Sequence, residues 1–255
     1  MAIDSKIQWT NHTWNPWHGC IKVSPGCRYC YMYRDKERYG QDPKTVLRSK
    51  SGTFNAPLSM PKEKAFVFTC SWSDFFIKEA DAWRPEAWEI IKATPHLTYQ
   101  ILTKRPERIR QCLPEDWGEG YKNVWIGVSV ENQETFNKRA SLLSDIPSKV
   151  RFFSFEPLIG EIDLYKNPDW FYIFRNIQWS IIGGESGNET GKYRYRECKI
   201  EWIEKLQHQL KLVGISVFIK QLGTHISKEL NLKDRTRGNI KEFPKNLKSR
   251  DYPNI

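Results

Sequence analysis

The 255-residue sequence contains no long apolar run. No stretch reaches the roughly 18 apolar residues that a helix needs to cross a bilayer, which argues against a membrane span. The first ten residues, MAIDSKIQWT, lack the apolar region of a signal peptide. Internal repeats, low-complexity stretches and a recognisable linker are also missing. We therefore expect a cytoplasmic protein with no membrane partner, folded as one domain over residues 1–255.

Closely spaced cysteine pairs are also scarce. Only one C-x2-C pair occurs, Cys27 and Cys30, and Cys20 precedes it in a C-x6-C-x2-C pattern. Because thiols stay reduced in the cytoplasm, this cluster favours metal binding over a disulfide. No second close pair follows. The remaining cysteines are single and far apart, and we expect them to be small buried hydrophobic side chains: Cys70, Cys112 and Cys198.

Two kinds of metal centre are compatible with three clustered thiols. Structural zinc takes four ligands, and His18, two residues before Cys20, could supply the fourth. An iron–sulfur cluster explains the odd number differently, because three irons are held by thiolates and the fourth keeps an open position. An open position implies an external ligand and therefore chemistry.

The charge balance is basic, with 40 Lys and Arg against 30 Asp and Glu and a formal net charge of +10. This fits a polyanionic partner such as DNA, RNA or a nucleotide, although a merely solvated surface would also explain it. We expect residues 224–255 to form a basic C-terminal extension. Its cations do not follow the periodicity of a base-reading helix, so any contact would be mainly to phosphate: Lys228, Lys233, Arg235, Arg237, Lys241, Lys245, Lys248 and Arg250.

Short β-rich runs alternate with amphipathic stretches along the chain. This alternation predicts an α/β fold with parallel strands, an incomplete (βα)6–7 TIM-like barrel with an N-terminal cluster-binding loop. The predicted strands are Ile7–Trp9, Ala65–Cys70, Thr98–Leu102, Val124–Val130, Val150–Phe155, Gln178–Ile182 and Ser216–Lys220. The predicted helices are Arg28–Tyr39, Pro85–Thr94, Pro106–Cys112, Gln133–Leu143 and Ile200–Val213.

Polar side chains follow nearly every predicted strand. In a parallel barrel these strand ends lie on one face, where such folds place their chemistry. Any strand must end in polar residues, and buried ion pairs can also gather charges there. Five ionisable residues at or just past strand ends are nevertheless less easily explained in this way: Lys104, Glu131, Glu156, Glu185 and Lys220.

The segment Cys27-Arg28-Tyr29-Cys30 resembles the second half of the radical S-adenosylmethionine (SAM) signature, in which an aromatic residue precedes the last cysteine. The first two cysteines are separated by six residues here, where that signature has three. Further motifs resemble a largely uncharacterised, phage-associated three-Cys-motif branch. They span residues 7 to 223: Ile7–Thr10, Trp14–Pro16, Gly19-Cys20, Ser24–Cys27, Leu102–Arg108, Gly127–Glu131, Glu156–Leu158, Gly183–Gly187 and Lys220–Gly223.

This resemblance implies a [4Fe-4S] cluster held by Cys20, Cys27 and Cys30, with SAM bound at the open iron. An electron donor such as flavodoxin or ferredoxin would reduce the cluster. The resulting 5′-deoxyadenosyl radical would abstract a hydrogen atom from the substrate. The protein would position the reacting groups and seal the site around them.

The resemblance also implies roles for individual residues. Tyr29 should lie near the adenine, and Lys104 or Arg105 should bind the SAM carboxylate. The exit segment with Ser71, Ser73 and Asp74 occupies the usual position of the amine-binding loop. We expect the ribose hydroxyls to be bound by Ser129, Glu131 and Asn132. We expect adenine or the substrate to contact Gly183 and Gly184. The substrate-side candidates are Glu156, Glu185 and Lys220, with Cys70 as a hydrogen-atom donor.

These features predict a radical SAM enzyme that modifies or repairs a base in a nucleic acid or nucleotide. Spore photoproduct lyase, a radical SAM DNA-repair enzyme, is an analogy of kind. Two alternatives stay open: a radical SAM enzyme acting on a peptide or small metabolite, and a non-catalytic zinc protein that binds nucleic acid. The sequence does not determine the oligomeric state.

Overall fold

A computed structural model describes residues 3–234 and 236–254. Arg235 and Ile255, which belong to the predicted C-terminal extension, lie outside these residues. The chain groups into two compact units. The first contains the residues up to Val23 together with Tyr31–Val128 and Asp145–Val150, and the second contains Ser24–Cys30, Ser129–Ser144 and the residues from Arg151 onward. The assignment of residues 1–255 to a single domain stays a prediction.

The first unit is built on parallel strands that pair in chain order. Leu97–Thr103 and Val124–Ser129 are almost wholly buried, as expected for strands covered on both faces. Trp14, Trp17, Phe75 and Trp88 add large buried rings to this core. The strands are β1 (His12–Trp14), β4 (Ala65–Thr69), β5 (Leu97–Thr103) and β6 (Val124–Ser129), with a small antiparallel pair β2 (Trp17–His18) and β3 (Leu47–Arg48); the helices are α1 (Tyr31–Arg38), α2 (Ser51–Phe54) and α3 (Arg84–Ala93).

The second unit repeats this architecture with three parallel strands. All six residues of the strand Trp179–Gly184 are buried. Phe136, Phe153, Phe155 and Phe174 pack as an aromatic cluster in its core. The strands are β7 (Val150–Leu158), β8 (Trp179–Gly184) and β9 (Ser216–Gln221), and the helices are α4 (Gln133–Ser144), α5 (Trp170–Arg175), α6 (Ile200–Leu212) and α7 (Gly223–Glu229).

Seven strands of the described chain belong to one sheet, and their order in the sheet is their order in the sequence. Helices alternate with them. Every described pairing within this sheet is parallel. The expected fold class, an incomplete TIM-like (βα) barrel, is therefore confirmed. In the described residues no helix combines the length and apolarity that a membrane span requires.

Three predicted elements were wrong in place or type. The first strand is His12–Trp14 and not Ile7–Trp9, because Asn11 pairs with Phe66 and sets the register five residues later. The helix expected at Arg28–Tyr39 begins only at Tyr31, since the proline-started 3₁₀ turn Pro25–Cys27 precedes it.

The expected helix Pro106–Cys112 is two short 3₁₀ turns, Pro106–Arg108 and Arg110–Cys112. Three of the described helices escaped sequence analysis because all are short, and a 3.6-residue period is hard to see over one or two turns. They are Ser51–Phe54, Trp170–Arg175 and Gly223–Glu229.

The predicted C-terminal extension begins in the helix Gly223–Glu229, and residues near its end contact the edge strand β9. Residues near its end pair antiparallel with β9: the Ile219 amide donates to Ser249 and the Asp251 amide to Val217. The Tyr252 ring stacks on Trp179 with ring centroids 5.3 Å apart. The segment thus covers backbone groups of β9 that an edge strand would otherwise expose.

Candidate active site

In the first unit, the Cys20 segment is held by the loop that follows β4. The Gly19 amide donates to the Trp72 carbonyl at 3.0 Å, and the Ser73 hydroxyl donates back to the Gly19 carbonyl at 2.6 Å. Gly19 has φ +94°, and a side chain there would overlap the Thr45 carbonyl, so glycine is required. The Tyr33 hydroxyl donates to the Cys20 carbonyl at 2.6 Å. The backbone around Cys20 is therefore fixed from several sides.

Ser71 contributes to the same loop through Asn15. The Asn15 amide donates to the Ser71 hydroxyl at 3.0 Å, and its oxygen accepts from the Trp72 amide at 2.8 Å. Ser71 and Ser73 are thus both engaged in joining the ends of β1 and β4. Their predicted role in holding the SAM amine stays a prediction.

Asp74 and Arg105 form a buried ion pair where β4 and β5 end. Arg105 Nη1 lies 3.0 Å from Asp74 Oδ2, and both side chains are over 90% buried. The Asp74 carboxylate also accepts from the Thr103 hydroxyl and the Lys104 amide, at 2.7 and 2.9 Å. Burial opposes the charge of Arg105, but Asp74 and Cys20 favour it, and the net pKa of the guanidinium is raised. The predicted binding of the SAM carboxylate by Lys104 or Arg105 stays a prediction.

Arg105 also reaches the cysteine segment. Its Nη2 donates to the Ile21 carbonyl at 2.7 Å, and Nη1 lies 3.9 Å from the Cys20 sulfur. A cation is thus held beside the Cys20 sulfur. Within this unit, Arg105 therefore links the end of β5 to the first cysteine.

Cys70 follows β4 in a left-handed backbone conformation, with φ +63°. Such a conformation is uncommon for a residue other than glycine and marks a constrained position. Burial, followed by the nearby Asp74, raises the pKa of the Cys70 thiol well above its usual range. Cys70 therefore keeps its proton near neutral pH.

In the second unit, the turn that carries Cys27 and Cys30 is anchored on Glu131. The Ser24 hydroxyl donates to Glu131 Oε1 at 2.7 Å. The Glu131 side chain is fully buried and is ion-paired with Arg139 at 3.3 Å. A Cβ atom on Gly26 would come within 2.6 Å of Glu131 Oε1, so only glycine fits there. Glu131 thus holds the cysteine turn, and its predicted contact with ribose stays a prediction.

Arg196 also holds this turn, and sequence analysis missed it. Its guanidinium Nη1 donates to the Pro25 carbonyl at 2.9 Å, and its Nε donates to Glu185 Oε2 at 2.8 Å. The guanidinium lies 5.3 Å from the centre of the Tyr29 ring. Glu185 is thus a buried partner of Arg196 at the end of β8. The alternation of cations and tyrosines from Lys192 to Arg196 was the available signal.

A third polar group lies where β7, β8 and β9 end. Glu156 Oε1 accepts from Lys220 Nζ at 2.7 Å and from the Gln221 amide at 2.8 Å. The Ser186 hydroxyl donates to Gln221 Oε1 at 2.6 Å. The Glu156 and Lys220 side chains are 18% and 23% exposed, so the pair is reachable from solvent. The structure therefore brings together two of the three predicted substrate-side residues.

The remaining predicted residues have structural partners of their own. Asn132 caps α4, because its side-chain oxygen accepts from the Thr135 amide at 3.0 Å. A Cβ atom on Gly183 would lie 3.1 Å from the Glu156 carboxyl carbon, and one on Gly184 would lie 3.0 Å from Gly223. The two glycines thus permit close packing between strand ends. The Ser129 carbonyl accepts from Arg139 at 2.7 Å.

Across the described residues, no three His, Cys, Asp or Glu side chains form a group that could hold a metal ion. The chemistry of the donor set nevertheless fits an iron–sulfur cluster, because Cys20, Cys27 and Cys30 are reduced cysteines of intermediate exposure. His18, the alternative fourth ligand for zinc, places its Nδ1 2.7 Å from Lys36 Nζ. The cluster assignment therefore depends on donor chemistry and sequence spacing.

A family model described as a protein of unknown function (DUF5131) matches residues 4–251. The chain belongs to the DUF5131 family. A comparison with curated proteins found no match.

Solved structures of spore photoproduct lyase share the fold of this DUF5131 chain. A cysteine-to-serine mutant of that enzyme aligns with a TM-score of 0.59 at 13% identity, covering 86% of this chain and 78% of that chain. A cysteine-to-alanine mutant with dinucleoside spore photoproduct gives 0.57 at 13% identity, over 85% and 77%. A tyrosine-to-phenylalanine mutant gives 0.57 at 13% identity, over 86% and 78%. At this identity the likeness establishes the fold.

Proposed function

We propose that this chain is a radical SAM enzyme that modifies or repairs a base in a nucleic acid or nucleotide. The observation that carries the proposal is the fold shared with spore photoproduct lyase over 86% of the chain, in a sequence that also has the C-x6-C-x2-C pattern. Fold alone does not imply function. The cysteine pattern and the polar strand ends supply the chemical part of the argument.

Cys20, Cys27 and Cys30 would hold the [4Fe-4S] cluster. When bound, the cluster supplies the electron that cleaves SAM and so generates the radical. Hydrogen bonds to sulfur ligands and nearby charges tune such clusters. In this chain Arg105 would tune the cluster from beside Cys20. Ser24 would tune it from beside Cys27, because the Ser24 hydroxyl oxygen lies 3.7 Å from the Cys27 sulfur.

Tyr29 and Arg196 offer a flat, cationic surface for the adenine of SAM. Arg28 and Arg196 lie 5.2 and 5.3 Å from the centre of the Tyr29 ring. Glu185 fixes Arg196 by hydrogen bonds, so the arginine is positioned before a ligand arrives. This preorganisation reduces the entropy lost when a ligand binds.

Glu156 and Lys220 are the substrate-side pair of the proposal. They are partly exposed and linked by a 2.7 Å contact, which allows a substrate amide or base edge to exchange hydrogen bonds with both. Cys70 keeps its S–H bond near neutral pH, and this is the form that a hydrogen-atom donor requires.

Reductive cleavage of SAM tests the enzyme proposal. The protein, reconstituted anaerobically with iron and sulfide, is mixed with dithionite and SAM, and 5′-deoxyadenosine is measured by chromatography. We expect product from the parent and none from the C20A/C27A/C30A variant. Absence of product from a parent that contains about four irons per chain would refute SAM cleavage.

The three candidate functions differ in metal content and in retention on nucleic acid. Zinc without visible absorbance would indicate the non-catalytic zinc protein. Brown protein that cleaves SAM but is not retained on DNA or RNA at moderate salt would indicate a peptide or metabolite substrate.

A further inference from the structure

Sequence and structure single out a short segment of the second unit that the proposed chemistry uses only at Arg196. After β8, cations and tyrosines alternate in the run Lys192-Tyr193-Arg194-Tyr195-Arg196. Residues 187–199 contain four cations and two acids. Alternating cations and aromatic rings are typical of surfaces that bind single-stranded nucleic acid, where cations contact phosphates and rings stack on bases.

The segment is held in a defined conformation by its neighbours. The Asn188 amide donates to the Tyr193 carbonyl at 3.0 Å, and the Gly187 amide donates to the Thr224 hydroxyl at 3.1 Å. A side chain on Gly187 would overlap the Arg194 carbonyl, so the chain at Arg194 folds back against the first residue of the segment, where only glycine fits. The Arg194 Nε donates to the Gly191 carbonyl at 2.9 Å. The alternating residues are therefore presented on a closed loop.

Within this loop the cations and the tyrosine rings differ in their exposure to solvent. Lys192 and Arg194 are exposed, whereas Tyr193 and Tyr195 are half-buried. Lys192 lies 5.6 Å from the Tyr193 ring centre, and Lys228 of α7 lies 5.7 Å from that of Tyr195. Each ring therefore has a cation over it, Lys192 over Tyr193 and Lys228 over Tyr195.

The acidic residues of the loop have cationic partners. Glu189 pairs with Lys228, and Glu197 lies 3.8 Å from Lys199. Glu185, beneath the loop, pairs with Arg196. The exposed Lys192 and Arg194 place positive charge on the surface of the loop.

We propose that the loop 187–199 binds single-stranded DNA or RNA, with Lys192 and Arg194 on phosphates and Tyr195 stacked on an unpaired base. The inference rests on the proposed function for its substrate class and adds the place where the strand is held. Single strands are favoured over duplexes because stacking on a protein ring requires a base that is free of its partner. Tyrosine is the only large apolar side chain within this loop, which makes a lipid surface the poorer fit.

The test measures the anisotropy of fluorescein-labelled dT12 and rU12 at several salt concentrations, without SAM or reductant. The K192A/R194A variant should lose at least about tenfold in affinity at low salt. For this variant, the slope of the logarithm of the binding constant against the logarithm of the salt concentration should be shallower by about 1.4, because each phosphate contact to a single strand contributes about 0.7 to that slope. Removing the same charge elsewhere, in K62A/K64A at two exposed lysines, should leave affinity and slope close to those of the parent.

The tyrosine gives an independent arm of the test. Y195L should weaken binding of dT12 by about fivefold or more, within the range of one lost stacking contact, while leaving the salt slope unchanged. An abasic oligonucleotide of equal length should bind the parent and Y195L equally. The parent should also bind the single strand more tightly than a duplex of the same length.

Several results would overturn the inference. One is equal loss of binding in K192A/R194A and K62A/K64A. Another is preference for the duplex, or for anionic vesicles containing phosphatidylserine, over the single strand. Because binding is measured without SAM, a protein that binds dT12 through the loop but makes no 5′-deoxyadenosine contradicts only the enzyme proposal. A protein that cleaves SAM but whose binding ignores the loop variants contradicts only this inference.

Discussion

Gly26 shows how a single residue controls the position of the cysteine turn. Its missing side chain lets the turn pack against the buried Glu131, and a Cβ atom would lie 2.6 Å from Glu131 Oε1. Glu131 cannot easily move away, because Ser24 and Arg139 both bind it. The backbone beside Cys27 is therefore placed by a buried carboxylate.

Replacing Gly26 by alanine should displace the cysteine turn. We expect G26A to lower the free energy of unfolding by about 1–3 kcal/mol, as overpacking typically does. Iron incorporation should also fall, because Cys27 moves with the turn. Urea denaturation and iron analysis measure the two effects. In the control G52A the added methyl meets no atom within 4 Å, and both quantities should stay near those of the parent.

The six thiols should differ in reactivity before any metal is added. Burial raises the pKa of Cys70, and it raises that of Cys198 to about 12. A raised thiol pKa lowers the thiolate fraction in mildly alkaline buffer, and the thiolate is the reactive form. Iodoacetamide followed by peptide mass spectrometry should therefore label the less buried Cys20, Cys27 and Cys30 well before Cys70 and Cys198. Equal labelling rates would contradict this arrangement.

At the level of elements, buried charge joins the ends of neighbouring strands. Asp74 after β4 accepts hydrogen bonds from Thr103 and Lys104 at the end of β5, and it pairs with Arg105. Removing one partner of a buried pair leaves the other charge uncompensated, which is costlier than removing both.

Replacing Asp74 and replacing Arg105 are therefore expected to have strongly coupled effects on the free energy of unfolding. D74N should lower the free energy of unfolding by about 3–5 kcal/mol, and the double variant D74N/R105M should lose clearly less than the sum of the single variants. Chemical denaturation of the four proteins measures the coupling. Additive losses would show that the two charges do not depend on each other.

The C-terminal segment is expected to stabilise the edge strand β9 through Tyr252. This ring lies 5.3 Å from Trp179 and 5.6 Å from Phe218, measured between ring centres. Y252A should lower the free energy of unfolding by about 1–2 kcal/mol, from lost aromatic contacts and apolar burial. The control Y39A removes a tyrosine that is 71% exposed and should change stability little. Equal effects of the two substitutions would refute the role of Tyr252.

Sequence periodicity predicted the long buried strands well. Leu97–Thr103, Val124–Ser129 and Trp179–Gly184 agree with the predicted runs to within one or two residues, because continuous apolar runs of this length suit parallel strands. The first strand could not be placed, since its position depends on the pairing of Asn11 with Phe66, 55 residues away. Such long-range pairing leaves no local signal.

Candidate site residues were predictable in kind but not in partner. The polar residues at strand ends do gather, as with Glu156 and Lys220. Glu131, Asp74 and Glu185, however, are each engaged by an arginine or a backbone amide. A sequence shows which residues carry charge, but pairing depends on which loops meet.

At the scale of the whole molecule, the fold is shared with spore photoproduct lyase, and the central proposal is that Cys20, Cys27 and Cys30 hold an iron–sulfur cluster. The most direct measurement is anaerobic purification with iron, sulfide and zinc counted for the parent and for C20A/C27A/C30A. We predict about four irons and four sulfides per parent chain, a brown colour, and neither metal in the triple variant. Zinc in place of iron in the parent, or unchanged iron in the triple variant, would contradict the claim.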